Sequence, residues 1–503
     1  MKRNYFILLL VAFLCACTAQ PQSGPEKPEI RFKDGKLRIA QFTDIHWDTG
    51  ESQKGSDEHL PKTIKGIVES EKPDVLVFTG DVVTGAPLVE GWRVFIDLMH
   101  EIGLPYAVVM GNHDPETAVD YNEDGKAIRW ETQATRDSIF TYLEKSPLFL
   151  GERGPAELQG MGHYTVPVLA SDGSDQVKAV FYCMDSNDYS TDSRLDGYGW
   201  FTHEQIGWYR EQSKAYTSAN GGTPLPAFAF FHIPLPEYHL IKGYHDTVGN
   251  RPETVCSPKI NTGMFAAMFE MQDIMGIFVG HDHDNDYIGQ YHGIALAYGK
   301  AGGVDTYGQW TKGGRIIDLY EDTRSFDTWI IDEFGKKEDV YYYPSAISDN
   351  DRVESKMLRA TNVNPQQKGA SYKYYEGPFK TARAMAKEGK LVEQGVLPSF
   401  DITGAKVKDH FGYEFSCWLN VPETDVYKII VGSDDGAVLL IDGNVIVDND
   451  GSHSFSEASG NAYLEKGFHK FDLKYFDSTH GQKLYVRIVD KRLNSFEDLY
   501  YVR

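Results

Sequence analysis

From residue 37 onward, short apolar runs alternate with stretches whose apolar positions recur at helical spacing. Alternation with period two marks a half-buried strand, and recurrence at three and four marks one face of a helix. On that basis Lys36–Phe42, 74–78 and 106–110 are predicted strands, with helices over 59–71 and 91–102 between them. Further strands are expected at Tyr164–Leu169, 177–184, 227–231, 276–279, Ile294–Tyr298 and 315–320, and helices over 202–216 and 261–272. Strand–helix alternation of this kind argues for an α/β domain with parallel pairing. Its later part is more hairpin-like, so a mixed sheet system covered by helices is expected. Two stretches, 115–133 and 234–258, lack strong periodicity. They read as long loops, which inside a domain are usually functional or flexible.

Beyond about residue 371 the texture changes. Alternating strands are predicted at 413–419, 426–431, Ala437–Ile441, 444–447, 470–475 and 483–488. Turn signals separate them: Ser433-Asp434-Asp435-Gly436, Asp442-Gly443-Asn444 and Lys466-Gly467. Regularly spaced short strands of this kind predict an all-β sandwich or barrel. Between the two textures, 336–370 is polar and holds Lys336-Lys337-Glu338-Asp339 and Asn364-Pro365-Gln366-Gln367-Lys368, so it reads as a linker. The expected organisation is a first domain over 37–335, a linker over 336–370 and a second domain over 371–503.

The start of the 503-residue chain is not part of either domain. Lys2 and Arg3 precede an apolar run from Tyr5 to Leu14, closed by Leu14-Cys15-Ala16-Cys17. The run is too short to span a bilayer as a mature helix and reads as a secretory signal. Leu14 and Ala16, three and one residues before Cys17, resemble a bacterial lipobox. That resemblance implies a lipoprotein signal over 1–17, acylation at Cys17, and export to the periplasm, outer membrane or cell surface with the lipid as membrane anchor. The polar, Pro-rich 18–36 then serves as a tether. Cys183, Cys256 and Cys417 remain, an odd number without metal-type spacing. Export permits a Cys183–Cys256 bridge, but buried free thiols are the expectation.

Charge narrows the partners. Fifty Lys and Arg against 73 Asp and Glu give a formal net charge of −23. Affinity for DNA or RNA rests on neutralising phosphates with basic side chains, so no nucleic-acid partner is expected. An anionic phosphate ester would be repelled as well, unless local cations reverse the field.

Five short elements in the first domain could supply those cations. They are Asp44-Ile45-His46, Gly80-Asp81, Gly111-Asn112-His113-Asp114, His232 and Gly280-His281-Asp282-His283, each just after an apolar strand. Strand ends feeding loops are where open α/β sheets place their sites. In extended backbone, residues two apart point to one side, so Asp-x-His and His-x-His can each aim two donors at one centre. Carboxylate, imidazole and one amide, with no thiolate, suit Mn, Fe or Zn. So many donors exceed the needs of one ion. Two divalent or trivalent ions are expected, with Asp44, His46 and His283 on one, Asn112, His232 and His281 on the other, and Asp81 bridging. Paired metals suit in-line displacement at phosphorus, because they turn a bridging water into hydroxide near neutral pH and bind phosphate oxygens. They also make the local field positive whatever the net charge. His113, beside a ligand, is the candidate general acid for the leaving oxygen, and Asp114 is expected to orient it.

This ordered set resembles the calcineurin-like metallophosphoesterase superfamily, over about the first two-thirds of the mature chain. The resemblance implies an α/β four-layer sandwich, two mixed β-sheets flanked by helices, and the same ligand assignment. Within it the chain is most similar to the branch related to purple acid phosphatases. One departure stands out: the purple enzymes carry a tyrosine ligand three residues after the bridging aspartate, where this chain has Thr84. The tyrosinate–iron colour should therefore be missing. Asp434-Asp435-Gly436, followed by Leu439-Leu440-Ile441-Asp442-Gly443 and the Gly467-Phe468-His469 turn, resembles the protective-antigen-type β-sandwich module. Some members bind glycans, in certain cases through Ca²⁺, which makes Asp434 and Asp435 candidate calcium or glycan ligands. Shaping a tight turn accounts for them equally well.

The resulting expectation is a phosphomonoester hydrolase outside the cytoplasm. A phosphodiesterase or nucleotide pyrophosphohydrolase would use the same core. A surface glycan-binding lipoprotein with a vestigial first domain is the reading from another class. Tyr198 and Trp200, and His239, Tyr244 and His245 in the loop after His232, lie where they could touch substrate, and are read as ordinary loop residues that pack locally.

Overall fold

The computed structural model describes residues 27–48, 54–84, 88–121, 127–131, 133–244, 246–304, 306–496 and 499–502. Cys17, with the expected signal and the tether as far as residue 26, lies outside these residues, as does His245.

Two seven-stranded mixed sheets build the first domain. In the first sheet the order is Ile30–Arg31, Tyr164–Leu169, Val177–Cys183, Ala227–Phe230, Ile274–Val279, Ile294–Tyr298 and Ile288–Tyr291. In the second it is Ile347–Ser348, Lys337–Tyr343, Phe326–Asp332, Gly313–Tyr320, Lys36–Phe42, Val75–Thr79 and Tyr106–Val109. Strands of the parallel blocks are buried on both faces, which is why they read as continuous apolar runs such as Val75–Thr79 (VLVFT). One apolar cluster joins the facing sheets through Ile39, Val77, Phe181, Phe228 and Phe278. The outer face of the second sheet carries the helices Lys54–Glu71, Leu88–Ile102 and Gln133–Leu143, whose Trp92, Phe95 and Phe140 share one apolar cluster with Phe78 of the sheet. The outer face of the first sheet carries His203–Ala219 and Met264–Met271, with Tyr209 of the first helix in one apolar cluster with Tyr182 and Ile277 of the sheet. The layers are helix, sheet, sheet, helix, as expected.

Three expectations are corrected here. The tether does not run to residue 36: Ile30–Arg31 pairs in parallel with Tyr164–Leu169, and Ile30 and Phe32 are buried. Alternating apolar residues at that point complete the sheet edge. The linker does not begin at 336 either. Lys337–Tyr343 pairs antiparallel with Phe326–Asp332, and Ile347–Ser348 extends the same sheet. Its charged start hid a strand whose Val340, Tyr341 and Tyr343 are buried. Within 115–133, Glu116–Tyr121 and Ala127–Glu131 form an antiparallel hairpin.

The C-terminal domain is all-β. An eight-stranded sheet, centred on the eleven-residue strands Phe411–Val421 and Gly467–Asp477, faces a three-stranded sheet of Asp425–Asp434, Ser456–Leu464 and Lys483–Val489. Phe415, Leu419, Ile429, Val431, Leu439 and Leu473 fill the space between. Its docking on the first domain is polar: the Arg492 guanidinium pairs with Asp327 at 2.7 Å, and the Lys428 ammonium donates to the Ser345 carbonyl at 2.7 Å. Cys183, Cys256 and Cys417 are free thiols, with Cys183 and Cys417 buried. No helix among the described residues is long and apolar enough to cross a membrane.

Candidate metal centre

Parallel strands of both sheets end at one place. Asp44 and His46 follow Lys36–Phe42, Asp81 follows Val75–Thr79, and Asn112 and His113 follow Tyr106–Val109. From the other sheet, His232 follows Ala227–Phe230, and His281 and His283 follow Ile274–Val279. The turns are sharp. Asp44, His46, Asp81 and His281 take φ of 49°, 44°, 49° and 81°, a region that costs a non-glycine residue roughly 1–2 kcal/mol. Such conformations persist where the surroundings over-determine them, which is the habit of functional sites. The motif glycines have a different reason. A Cβ on Gly280 would stand 1.8 Å from Thr43 Oγ1 and 2.5 Å from Asp44 Oδ2, and one on Gly111 would stand 2.2 Å from Asp81 Oδ1.

Six of the seven expected ligands fall into two sets. Donor atoms of Asp44, His46, Asp81 and His283 lie within 4.8 Å of one another, and so do those of Asp81, His232 and His281. Asp81 belongs to both. Its Oδ2 is 3.5 Å from His46 Nε2 and 3.2 Å from His232 Nε2, while its Oδ1 accepts the His113 N–H at 2.8 Å. Asp44 Oδ1 is 3.3 Å from His283 Nε2. His232 Nδ1 bonds the Thr79 carbonyl at 2.8 Å, which turns Nε2 toward the cluster. Asn112, the seventh, uses its amide Nδ2 on the Tyr189 hydroxyl at 2.7 Å, and its Oδ1 is buried without a hydrogen-bond partner.

The field in this cluster asks for cations. His281 Nδ1 and His232 Nε2 face each other at 3.3 Å beside two carboxylates that are fully buried. Burial by itself would lower His232, yet the Asp81 and Asp44 carboxylates raise it to about 10. Burial, helped by the neighbouring His232, drives His281 down to about 3. Burial would raise Asp81, but His232 and His113 outweigh it and hold that carboxyl well below its ordinary range. Two imidazole nitrogens facing each other beside two buried carboxylates fit a pair of metal ions, which would take the place of the proton on His232 and balance the negative charge.

A cavity of about 180 Å³ opens over this cluster. His46, Asp81, His281 and His283 line it together with His113, whose ring lies 5.4 Å from that of His46. Asp114 does not orient His113. Its carboxylate accepts the backbone N–H groups of Asp81, Val82, Val83 and Gly111 at 2.6–3.1 Å, tying two ligand loops together. Burial and the nearby Asp81 push it up to about 7. Thr84 lies on the strand-end backbone, where its N–H donates to the Trp47 carbonyl at 3.0 Å.

Two tyrosines complete the walls: Tyr198, expected to be an ordinary loop residue, and Tyr307, which no expectation included. Tyr198 meets the His281 ring perpendicularly at 4.3 Å, and Tyr307 stacks on His283 at 4.1 Å. Both line the cavity with Thr306. The Asp196-Gly197-Tyr198-Gly199-Trp200 run was the available signal for Tyr198; no spacing pointed to Tyr307. In the second domain, Asp434 and Asp435 gather with Asp477, a residue no motif announced. Asp435 Oδ2 accepts the Ser478 N–H at 2.7 Å, and both Asp477 oxygens are buried without a hydrogen-bond partner. Burial, with Asp435, Asp409 and Asp434 nearby, pushes Asp477 up to about 7.

Comparison with known proteins finds matches over both domains. A family model for calcineurin-like phosphoesterases matches residues 37–285, and one for the PA14 domain matches residues 371–494. The Arabidopsis thaliana protein named probable inactive purple acid phosphatase 29 is 29% identical over 351 residues, 63% of this chain and 86% of that protein. Probable inactive purple acid phosphatase 14 of the same plant is 28% identical over 354 residues, 63% of this chain and 84% of its own length. Among solved structures, a dimetal phosphatase from Danio rerio aligns with a TM-score of 0.39 at 12% identity, covering 59% of this chain and 96% of that one. This chain therefore carries a calcineurin-like phosphoesterase domain with purple acid phosphatase-related homologues, followed by a PA14 domain.

Proposed function

We propose that this chain is a two-metal hydrolase of phosphomonoesters acting outside the cytoplasm. The observation that carries the reading is Asp81, whose single oxygen Oδ2 is within 3.5 Å of histidines from both ligand sets. Asp44, His46 and His283 would hold one ion, Asn112, His232 and His281 the other, and Asp81 both. The donor set suits Mn, Fe or Zn. When bound, the ions supply the Lewis acidity that activates water and neutralises phosphate charge. The chain's own groups do the rest. His113, on the cavity wall, delivers a proton to the leaving oxygen. Tyr198 and Tyr307 line the cavity beside the rings of His281 and His283, where they would contact the ester. A convergent donor set, with six of the seven expected ligands in two clusters, speaks against a vestigial domain, although the two plant relatives are named inactive.

The test pairs elemental analysis with turnover of a chromogenic phosphomonoester and its diester analogue. Two metals per chain with the monoester preferred is the expected result. Diester preference would move the assignment to a phosphodiesterase or pyrophosphohydrolase. Two bound metals without turnover of any phosphate ester would favour a surface binding protein instead.

The same reading includes export through the Leu14-Cys15-Ala16-Cys17 segment and a lipid on Cys17. Labelled palmitate should enter the wild-type chain and not Cys17→Ser; equal labelling would end the anchor proposal. We further propose that Asp434, Asp435 and Asp477 hold Ca²⁺, with a glycan as the partner of that ion. The support is the pair of partnerless Asp477 oxygens beside two more carboxylates. Isothermal titration of the chelator-treated full chain should show one Ca²⁺ event that Asp435→Asn abolishes. Identical isotherms for wild type and variant would remove the site.

A further inference from the structure

The segment after Val177–Cys183 returns on itself as a small hairpin. Tyr189 and Tyr198 pair across it as an isolated antiparallel bridge, closed by Ser190 N–H to the Gly197 carbonyl at 2.8 Å and Gly199 N–H to the Asp188 carbonyl at 2.9 Å. Their rings stack at 5.7 Å and 29°. The base is closed by Asn187 Nδ2 donating to the Trp200 carbonyl at 2.8 Å, and it is fastened to the body of the domain by Asn187 Nδ2 on Gln205 Oε1 at 3.0 Å and by Arg136 paired with Asp188. From this fixed base the two tyrosines reach two different side chains. Tyr189 takes the Asn112 amide, and Tyr198 takes the face-to-edge contact with His281.

Both of those side chains belong to the same proposed ion, the one shared by Asn112, His232 and His281. An asparagine amide has two nearly isosteric ends, and only the oxygen can coordinate a cation. With its Nδ2 held on the Tyr189 hydroxyl, the amide presents Oδ1, the atom that is buried without a hydrogen-bond partner. An imidazole ligand likewise binds best when its ring plane is fixed in advance. We propose that the Tyr189–Tyr198 hairpin positions two ligands of one metal of the pair, Tyr189 through its hydroxyl and Tyr198 through its ring, and so sets the affinity of that ion separately from its neighbour. The inference rests on the two-metal reading given above.

Its test is metal affinity in the chelator-stripped full chain, titrated with Zn²⁺ and read by metal stoichiometry and calorimetry. Tyr189→Phe removes the hydroxyl and keeps the ring stack. It should weaken one binding step by about 10- to 100-fold, the usual effect of losing an outer-shell partner, and leave the other unchanged. Tyr198→Phe should bind as wild type, because the contact is made by the ring, whereas Tyr198→Leu should weaken the same step. In an Asn112→Asp background both side-chain oxygens can coordinate, so adding Tyr189→Phe should cost nothing further. Wild-type affinity in Tyr189→Phe, equal losses at both steps, or a full extra loss in the Asn112→Asp background would each overturn the proposal. A wild-type chain that binds fewer than two ions would instead overturn the two-metal reading itself.

Discussion

Asp81→Asn is expected to strip both metal positions and lower phosphoester turnover by at least about 10³-fold. A bridging carboxylate places negative charge between two cations, and its loss removes several kcal/mol of transition-state stabilisation, each 1.4 kcal/mol being tenfold. The local geometry sharpens the effect. Asp81 Oδ1 accepts the His113 N–H, which leaves Oδ2 facing His46 and His232. An asparagine that keeps the first bond turns its NH₂ toward those two imidazoles, so a donor stands where an acceptor is required. Elemental analysis beside circular dichroism checks this, the second confirming that the variant folds. Two metals per folded chain in Asp81→Asn would contradict the shared-ligand assignment.

His113→Ala is expected to slow alkyl phosphates by about 10²- to 10⁴-fold and activated aryl phosphates far less, because a good leaving group needs no proton. The substitution is clean in one respect. His113 anchors Asp81 through its backbone N–H, which alanine retains, so the bridging ligand stays oriented. A variant that loses the same factor on both substrate types, with metal content intact, would show His113 to be positional only.

The ligands were legible because each sits two to four residues past an apolar strand, where period-two spacing or a preceding glycine such as Gly80, Gly111 or Gly280 marks the turn. Asp44-Ile45-His46 and His281-Asp282-His283 show their shared direction in spacing alone. The left-handed φ of Asp44, His46, Asp81 and His281 was invisible, since Asp and His tolerate that region better than most residues yet enter it only where the surrounding fold requires it. Asp114 misled for a related reason. Next to His113 in the chain, it spends its carboxylate on the backbone of a loop 31–33 residues earlier and on Gly111.

The tyrosines of the site mark the same boundary. Tyr189 lies 77 positions from Asn112 and Tyr307 lies 24 positions from His283, so neither contact has a local period to betray it. Lys337–Tyr343 hid as a linker because its strand character comes from pairing with Phe326–Asp332, not from its own charged first half.

By itself the sequence determined the alternation of strands and helices, the change to an all-β second half, and the kinds of donor available at the strand ends. These follow from interactions between near neighbours, which repeat along the chain. Tertiary structure alone decided that two sheets bring their strand ends to one cavity, which backbone turns are bent left-handed to aim the donors, and which aromatic groups hold them. Those outcomes arise from contacts between segments tens to hundreds of residues apart, and packing a shared core is what brings such segments together.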